Sequence, residues 1–274
     1  MLTPRNSEAP HQLTERHTIE AVPTETTREP TPGARPIGVT SPGAAAENIR
    51  RMFDTIAPTY DRANHLLSFG LDRTWWFRAA RALRPILRRP NAVVLDLCCG
   101  TGDMTLALYR HRPRAGAPVL AADFSHPMLS RALPKFAGRN IVPIEADALR
   151  LPLADSSVDL VTFAFGFRNL SSYPGGLNEL HRVLRPGGQI AILECNQPEG
   201  LVGSLYNLYF QRILPTIGGW ISRDRSAYTY LPHSVARFPQ PSKMKELILE
   251  AGFKDPTWTS YTFGTAGLYR AIRS

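Results

Sequence analysis

The chain has 274 residues, 43% hydrophobic and 20% charged, with a net charge of +9, enough apolar content to bury the core of one large domain. Its mean hydropathy of −0.19 and the absence of any run of roughly 18 apolar residues exclude an integral helical membrane protein. Three cysteines, two of them adjacent (Cys98 and Cys99), exclude a disulfide scaffold and offer no metal-ligand spacing.

Residues 1–45 hold seven Pro, eight Thr, four Arg and five Glu, and no Phe, Tyr or Trp precedes Phe53. Such a stretch has nothing to pack, so it is expected to be a disordered tail, with structure starting near Ala44–Glu47. It has neither the apolar run of a secretory signal nor the acid-poor composition of a transit peptide, so a cytoplasmic protein is expected. The tail is net −1, which leaves +10 on the remaining residues. That balance suits an anionic membrane surface or nucleic acid as well as plain solubility.

From Glu47 the pattern turns helical. Ile49, Met52, Phe53 and Ile56 recur on one face, and Trp75, Trp76, Ala79, Ala80, Leu83 and Ile86 on another. Nine Arg against three Asp give residues 50–89 a net charge of +6, so residues 46–90 are read as a basic helical cap. The body then alternates. Strands are predicted at Ala92–Leu97, Pro118–Ala122, Ile141–Ile144, Val158–Phe163 and Gln189–Glu194. Helices are predicted at Asp103–Arg110, Pro127–Phe136 and Gly175–Leu184, the last stopped by Pro186-Gly187-Gly188. A helix over Ser242–Ala251 and strands near Pro256–Tyr261 and Ala266–Ala271 follow. The alternation predicts an α/β fold with a mostly parallel sheet covered on both faces. Its ligand belongs at the carboxyl ends of the strands, where strand order reverses.

The first strand runs into Cys98-Cys99-Gly100-Thr101-Gly102-Asp103. Two glycines at a strand-to-helix turn let backbone approach a ligand, and the helix start favours an anionic group. Asp123 follows the second strand, where an acid accepts from ribose hydroxyls. Asp147-Ala148 follows the third, where a carboxylate and a backbone N–H suit an adenine edge. Thr105 stands where a dinucleotide fingerprint needs its third glycine, which argues against a dehydrogenase. The set resembles the class I S-adenosylmethionine-dependent methyltransferases, whose fold is a Rossmann-like, mostly parallel seven-stranded sheet.

Four further stretches carry a narrower resemblance: Tyr60-Asp61-Arg62-Ala63-Asn64-His65-Leu66-Leu67-Ser68-Phe69-Gly70 with Trp75-Trp76, Phe165-Gly166-Phe167-Arg168-Asn169, Arg182–Gly188 running on to Glu194, and Ala227–Pro232. Over residues 46–273 the chain resembles the ubiquinone/menaquinone biosynthesis C-methyltransferase family. Asp72 departs from a histidine of the first stretch, Asn196 from a serine ending the third, Ala164 from a serine in some members, and His233 from a common acid.

The resemblance implies methylation of a ring carbon of a polyprenylated naphthoquinol (demethylmenaquinol) or benzoquinol. S-adenosylmethionine is the implied methyl donor, with no metal required. Gly100, Thr101, Gly102, Asp123, Asp147 and Ala148 are the expected cofactor residues. Arg168 and Asn169 are expected to steady a developing phenolate, with loop hydrogen bonding the alternative. Tyr60 and Asp61 are expected to help deprotonate the quinol, with a helix-capping role the alternative. His65 and His233 are read as structural or surface residues. The apolar run Leu201–Leu214 is expected to belong to a lid over about 200–240 that covers the prenyl chain. With the Arg-rich cap it suggests peripheral contact with an anionic membrane at its inner face; a homodimer is also open. A nucleic-acid methyltransferase, permitted by charge, lacks its proline-proline-aromatic stretch after the fourth strand, so no nucleic-acid partner is expected. A non-enzymatic cofactor-binding scaffold is disfavoured by the intact loop and both acids.

Overall fold

A computed structural model describes residues 32–36, 41–198 and 226–274, with isolated positions between 200 and 208. The expected tail up to residue 31 and most of the expected lid lie outside the described residues.

Four helices precede the sheet: α1 (Pro42–Ile56), α2 (Tyr60–Leu67), α3 (Leu71–Ala82) and α4 (Arg84–Leu87). Helix α1 starts earlier than the apolar pattern indicated. Ser41 caps it, its side chain accepting from the Ala44 N–H, and Pro42 occupies the first turn, where a missing N–H costs nothing. The segment 32–36, expected to be disordered, is packed instead. The Ala34 N–H donates to Leu170 O at 2.7 Å and the Tyr173 N–H to Pro32 O at 2.8 Å. A Cβ on Gly33 would lie 2.2 Å from Ser171 O, so only glycine lets the two backbones meet.

The sheet has seven strands: β1 (Val94–Leu97), β2 (Val119–Asp123), β3 (Ile141–Glu145), β4 (Val158–Ala164), β5 (Leu184–Cys195), β6 (Phe253–Tyr261) and β7 (Ala266–Arg273), in the order β3-β2-β1-β4-β5-β7-β6. Strands β1 to β5 pair in parallel, and β7 is antiparallel to both neighbours. The linking helices are α5 (Asp103–Tyr109), α6 (His126–Phe136) and α7 (Tyr173–Val183); α8 (Ser226–Arg237) and α9 (Pro241–Glu250) precede β6.

Both faces of the central strands are buried, as parallel strands require. In β5, Ala191 and Leu193 join the core under α3 and α5, while Ile190 and Ile192 join the core under α7 and α9. The Pro186-Gly187-Gly188 turn does not end a helix. Helix α7 closes at Val183, and Leu184 already pairs with Val158; the ladder resumes at Leu160↔Gln189. The triplet is therefore a bulge inside β5, with Gly187 at φ 76°. Arg112 locks the cap to the sheet. Its guanidinium donates to the carbonyls of Leu87, Arg89, Pro90, Ala92 and Ala117. The chain crosses from β3 over to β4, so strand order reverses between β1 and β4. The crevice at their carboxyl ends is where a ligand belongs.

Candidate active site

Two neighbouring loops build the floor of that crevice. After β1 the chain turns through Cys98 at φ 55° and Gly100 at φ 54°, and after β4 through Phe165 at φ 63°. A left-handed Phe or Cys is strained backbone of the kind that collects at functional sites. The two turns interlock: a Cβ on Gly166 would lie 2.4 Å from Cys98 Cβ.

A cavity of about 690 Å³ opens above these turns, lined by Gly100, Asp123, Asp147 and Ala148 among others. Four of the six expected cofactor residues thus meet there. Asp123 ends β2, its side chain buried. Oδ2 accepts from the Gly100 N–H at 2.8 Å and Oδ1 from the Ser125 N–H at 2.9 Å, so the acid also fixes the loop. Burial pushes its pKa up to about 6, with the Ser125, Gly100 and Phe124 N–H groups opposing. Asp147 Oδ1 accepts from the Leu149 N–H at 2.9 Å. A Cβ on Gly100 would meet only Tyr60 Cε1, at 3.8 Å, so open space lies over this backbone. An open backbone approach beside two carboxylates fits an adenosyl cofactor with an amino-acid tail.

Thr101 and Gly102 do not line the cavity. The Thr101 hydroxyl donates to Asp61 Oδ1 at 2.5 Å. Gly102 caps α5 at φ 89°, and a Cβ there would lie 2.5 Å from the Phe136 ring. Both residues build the loop. Beneath it Asp96 accepts from the Thr105 and Thr162 hydroxyls at 2.6 and 2.8 Å. Thr105, in place of a third glycine, therefore ties α5 to β1.

A second cavity of about 910 Å³ is lined by Leu67, Trp75, Arg168 and Thr262 among others, and shares the walls Tyr60 and Phe165 with the first. Its lining is mostly apolar and aromatic. The four expected catalytic residues fall differently around the two spaces. Tyr60 lines both; burial raises its pKa, with Asn64 and Arg168 opposing. Asn169 lines the first, and its Oδ1 accepts from the Tyr230 hydroxyl at 3.0 Å.

Asp61 is in the lining of neither cavity. It accepts from Thr101 and from Lys135 Nζ at 2.9 Å, and Lys135 also reaches Asp103 at 3.1 Å. Burial pushes the Asp61 carboxyl up, but the Thr101 and Lys135 hydrogen bonds outweigh it and the pKa is lowered. Lining neither cavity, this carboxylate is not presented to a ligand in either one. In the structure Asp61 and Lys135 together clamp α2, α5 and α6.

Arg168 is buried in a 3₁₀ turn (Phe167–Asn169). Its Nη1 donates to Glu194 Oε2 at 2.8 Å and to Phe165 O; its own N–H donates to Glu194 Oε1 at 3.0 Å. Burial lowers its pKa, but the Glu194 carboxylate more than compensates, and the net shift is upward. Loop hydrogen bonding is therefore real. Yet Nε is buried without a partner, and the residue lines the apolar cavity. Glu194, fully buried, was legible only as the end of a sequence stretch; its pairing with a residue 26 positions away carries no local signal. Phe124, Met128 and Phe165 also line the cofactor-side cavity without having been singled out for it.

The departures from the family pattern have local explanations. Asn196 Nδ2 donates to the Tyr269 hydroxyl at 2.6 Å. Asp72 is 3% exposed and pairs with His65, Nδ1 to Oδ2, at 2.5 Å. Ala164 lines the cofactor-side cavity, and His233 lines a third space beside Arg168, Tyr230 and Arg237.

Comparison with known proteins agrees with this geometry. Two solved structures share the fold at low identity. One is an S-adenosylmethionine-dependent methyltransferase from Aquifex aeolicus, with TM-score 0.55 and 20% identity, covering 74% of this chain and 93% of that one. The other is such a methyltransferase from Thermotoga maritima, with TM-score 0.58 and 16% identity, covering 82% and 99%. Closer relatives include the demethylmenaquinone methyltransferase of Thermus thermophilus, 46% identical over 80% of this chain and 98% of that protein. The protein of that name in Deinococcus radiodurans is 43% identical over 81% and 90%. The ubiquinone/menaquinone biosynthesis C-methyltransferase of Geotalea daltonii is 40% identical over 81% and 95%. The model of the ubiE/COQ5 methyltransferase family matches residues 42–273. With its fold, its loop acids and these relatives, the chain belongs to the ubiE/COQ5 methyltransferase family.

Proposed function

We propose that the protein methylates a ring carbon of demethylmenaquinol, a polyprenylated naphthoquinol, to give menaquinol, with S-adenosylmethionine as methyl donor. The observation that carries this reading is the pair of cavities sharing Tyr60 and Phe165. One holds the Asp123 and Asp147 carboxylates beside the Gly100 backbone, and the other is mostly apolar and aromatic, with Arg168 and Asp72 as its charged groups. The bound cofactor supplies an electrophilic sulfonium methyl.

Asp123 would hold the ribose, Asp147 and the Ala148 backbone the adenine edge, and the backbone at Gly100 the amino-acid tail. Tyr60 and Phe165, at the junction, would align the ring face with the methyl, the positioning on which such a transfer depends. An ionised quinol is nucleophilic at the carbon beside its oxygen. Arg168 would hold charge on that oxygen through the guanidinium face that Glu194 leaves unused. Asn169, oriented by Tyr230, would fix the turn that presents Arg168. The naphthoquinol is preferred over the benzoquinol of ubiquinone synthesis because the relatives at 46% and 43% identity carry the demethylmenaquinone name.

The apolar cavity suits a substrate delivered from a bilayer, with the protein acting at the cytoplasmic face. Among the described residues no helix is long and apolar enough to cross a membrane. Peripheral contact is supported by the exposed Leu66, Phe77 and Phe263 alongside the Arg-rich cap. The test is an assay of the purified protein with labelled cofactor and each reduced, demethylated quinol. Methyl transfer to the naphthoquinol, and none to its oxidised quinone, is expected. Transfer to the benzoquinol alone would replace this reading with the ubiquinone-branch one.

A further inference from the structure

Asp72 is an acid where apolar surroundings make acids costly. It sits in the first turn of α3 with its side chain 4% exposed, and it lines the apolar cavity together with Tyr60, Trp75 and Arg168. An ionised carboxylate survives burial only with partners. Asp72 has two. Oδ1 accepts from the Arg73 N–H at 2.8 Å, and Oδ2 lies 2.5 Å from His65 Nδ1. The start of α3 adds a favourable dipole.

His65 lies on the other side of the pair. It belongs to the last turn of α2, packs edge-on against Trp76, and lines a separate cleft with Arg73, Asp103 and His111. The pair therefore joins the apolar cavity to a polar cleft. A purely structural ion pair has no need to present its acid to the cavity that holds the cationic Arg168.

We infer that Asp72, held in place by His65, is the proton acceptor for the ring hydroxyl of the quinol. The inference rests on the quinol-methylating reading above. The hydroxyl O–H bond breaks, the proton joins an Asp72 carboxylate oxygen, and the electron pair stays on the ring oxygen beside Arg168. The ring carbon then forms its bond to the methyl as the sulfur–methyl bond breaks. The methylated ring loses its C–H proton to water and takes back the Asp72 proton at oxygen, which restores the quinol. Asp72 is in this sense catalytic, and His65 is a positioning residue that holds the carboxylate in place. The charged and titratable groups around the pair are Tyr60 and Asp61 on α2, Arg73 on α3, Asp103 on α5, Arg110 and His111 beyond it, and, across the apolar cavity, Arg168 and Cys195.

Asp72→Asn tests this, with demethylmenaquinol as substrate. Turnover is expected to fall on the order of a hundredfold, the usual worth of general base catalysis, with cofactor affinity unchanged. The residual rate should climb with pH, because the quinol must then ionise unaided. The defect should shrink for ring-substituted quinols with more acidic hydroxyls. His65→Gln should lower turnover less and move the acidic limb of the pH–rate profile. Turnover in Asp72→Asn within about twofold of the parent, or a defect insensitive to pH and to hydroxyl acidity, would overturn the inference. If Asp72→Asn does not fold, His65→Gln with an unmoved pH profile overturns it as well. Should the parent protein itself fail on the naphthoquinol, the proposed function falls first, and the two failures are distinguishable.

Discussion

Asp123 does two jobs at once. It steadies the loop after β1 through the Gly100 N–H and lines the cavity beyond it. Asp123→Ala is expected to weaken S-adenosylmethionine binding by about 1–3 kcal/mol, the cost of leaving buried hydroxyls unpaired; calorimetry showing unchanged affinity would contradict the assignment. Its pKa of about 6 sets a sign for pH. The folded value is raised above the ordinary 3.8, so between the two the folded chain holds a proton that the unfolded chain lacks. The group's contribution to stability therefore rises as pH falls through this window. Cofactor affinity moves the other way, since ribose hydroxyls donate to the ionised form. It should fall below about pH 6, by up to about tenfold per pH unit, and the fall should vanish in Asp123→Asn. Arg168 needs a different substitution. Arg168→Ala would strand the buried Glu194 carboxylate and cost about 3–5 kcal/mol of stability, which hides any catalytic effect. Arg168→Lys keeps a charge beside Glu194 but loses the planar fork of donors. Turnover is expected to drop on the order of a hundredfold, with cofactor affinity and melting temperature nearly held. Equal losses in affinity and turnover would reduce Arg168 to a prop for its loop.

At the scale of elements, the central strands β1, β2 and β4 were legible because both their faces are buried, so short apolar runs between turn residues marked them within two residues, whereas β5 and β6 start five and three residues before the expected Gln189 and Pro256. Other features were hidden for physical reasons. The β5 bulge carries the same Pro-Gly-Gly letters as a helix stop, and only the pairing of Leu184 with Val158 tells them apart. The Ser41-Pro42 start of α1 sits in text that reads as loop. The packing of Ala34 on Leu170 has no sequence signal, since it is made by backbone against backbone. The two acids proposed to hold the cofactor were legible because each follows a strand end. The clamp role of Asp61 and the Arg168–Glu194 pair were not, because partners far apart in sequence leave no pattern. These contacts give truncation a boundary. Deleting residues 1–30 should leave stability and cofactor binding nearly unchanged. Deleting residues 1–40 should lower stability by about 1–3 kcal/mol, from two lost backbone hydrogen bonds and uncovered packing around Leu170. Equal melting temperatures for the two truncations would show that the segment 32–36 contributes nothing.

For the whole molecule, positive charge and exposed apolar side chains are both concentrated in the helices that precede the sheet. The chain carries +9, and nine of its arginines fall within residues 50–89, where Leu66 and Phe77 stand half exposed. Vesicles containing about 30% anionic lipid should therefore bind the protein, and neutral vesicles should bind it weakly. Binding should fall steeply as salt rises and the Debye length shortens. Salt-insensitive binding, or none, would remove the membrane from the account. The fold alone does not choose a substrate, since the same sheet serves many methyl acceptors; in the proposed reading the apolar cavity around Arg168 makes that choice. Transfer of a methyl group to a ring carbon of a naphthoquinol can be followed by incubating the protein with demethylmenaquinol and a cofactor bearing a deuterated methyl group, then locating the label by mass spectrometry and NMR. A deuterated methyl is expected on the ring carbon that had carried hydrogen, in a product with both hydroxyls intact. A deuterated methyl ether on a quinol oxygen, or no labelled quinol with the cofactor bound, would rule out ring-carbon methylation.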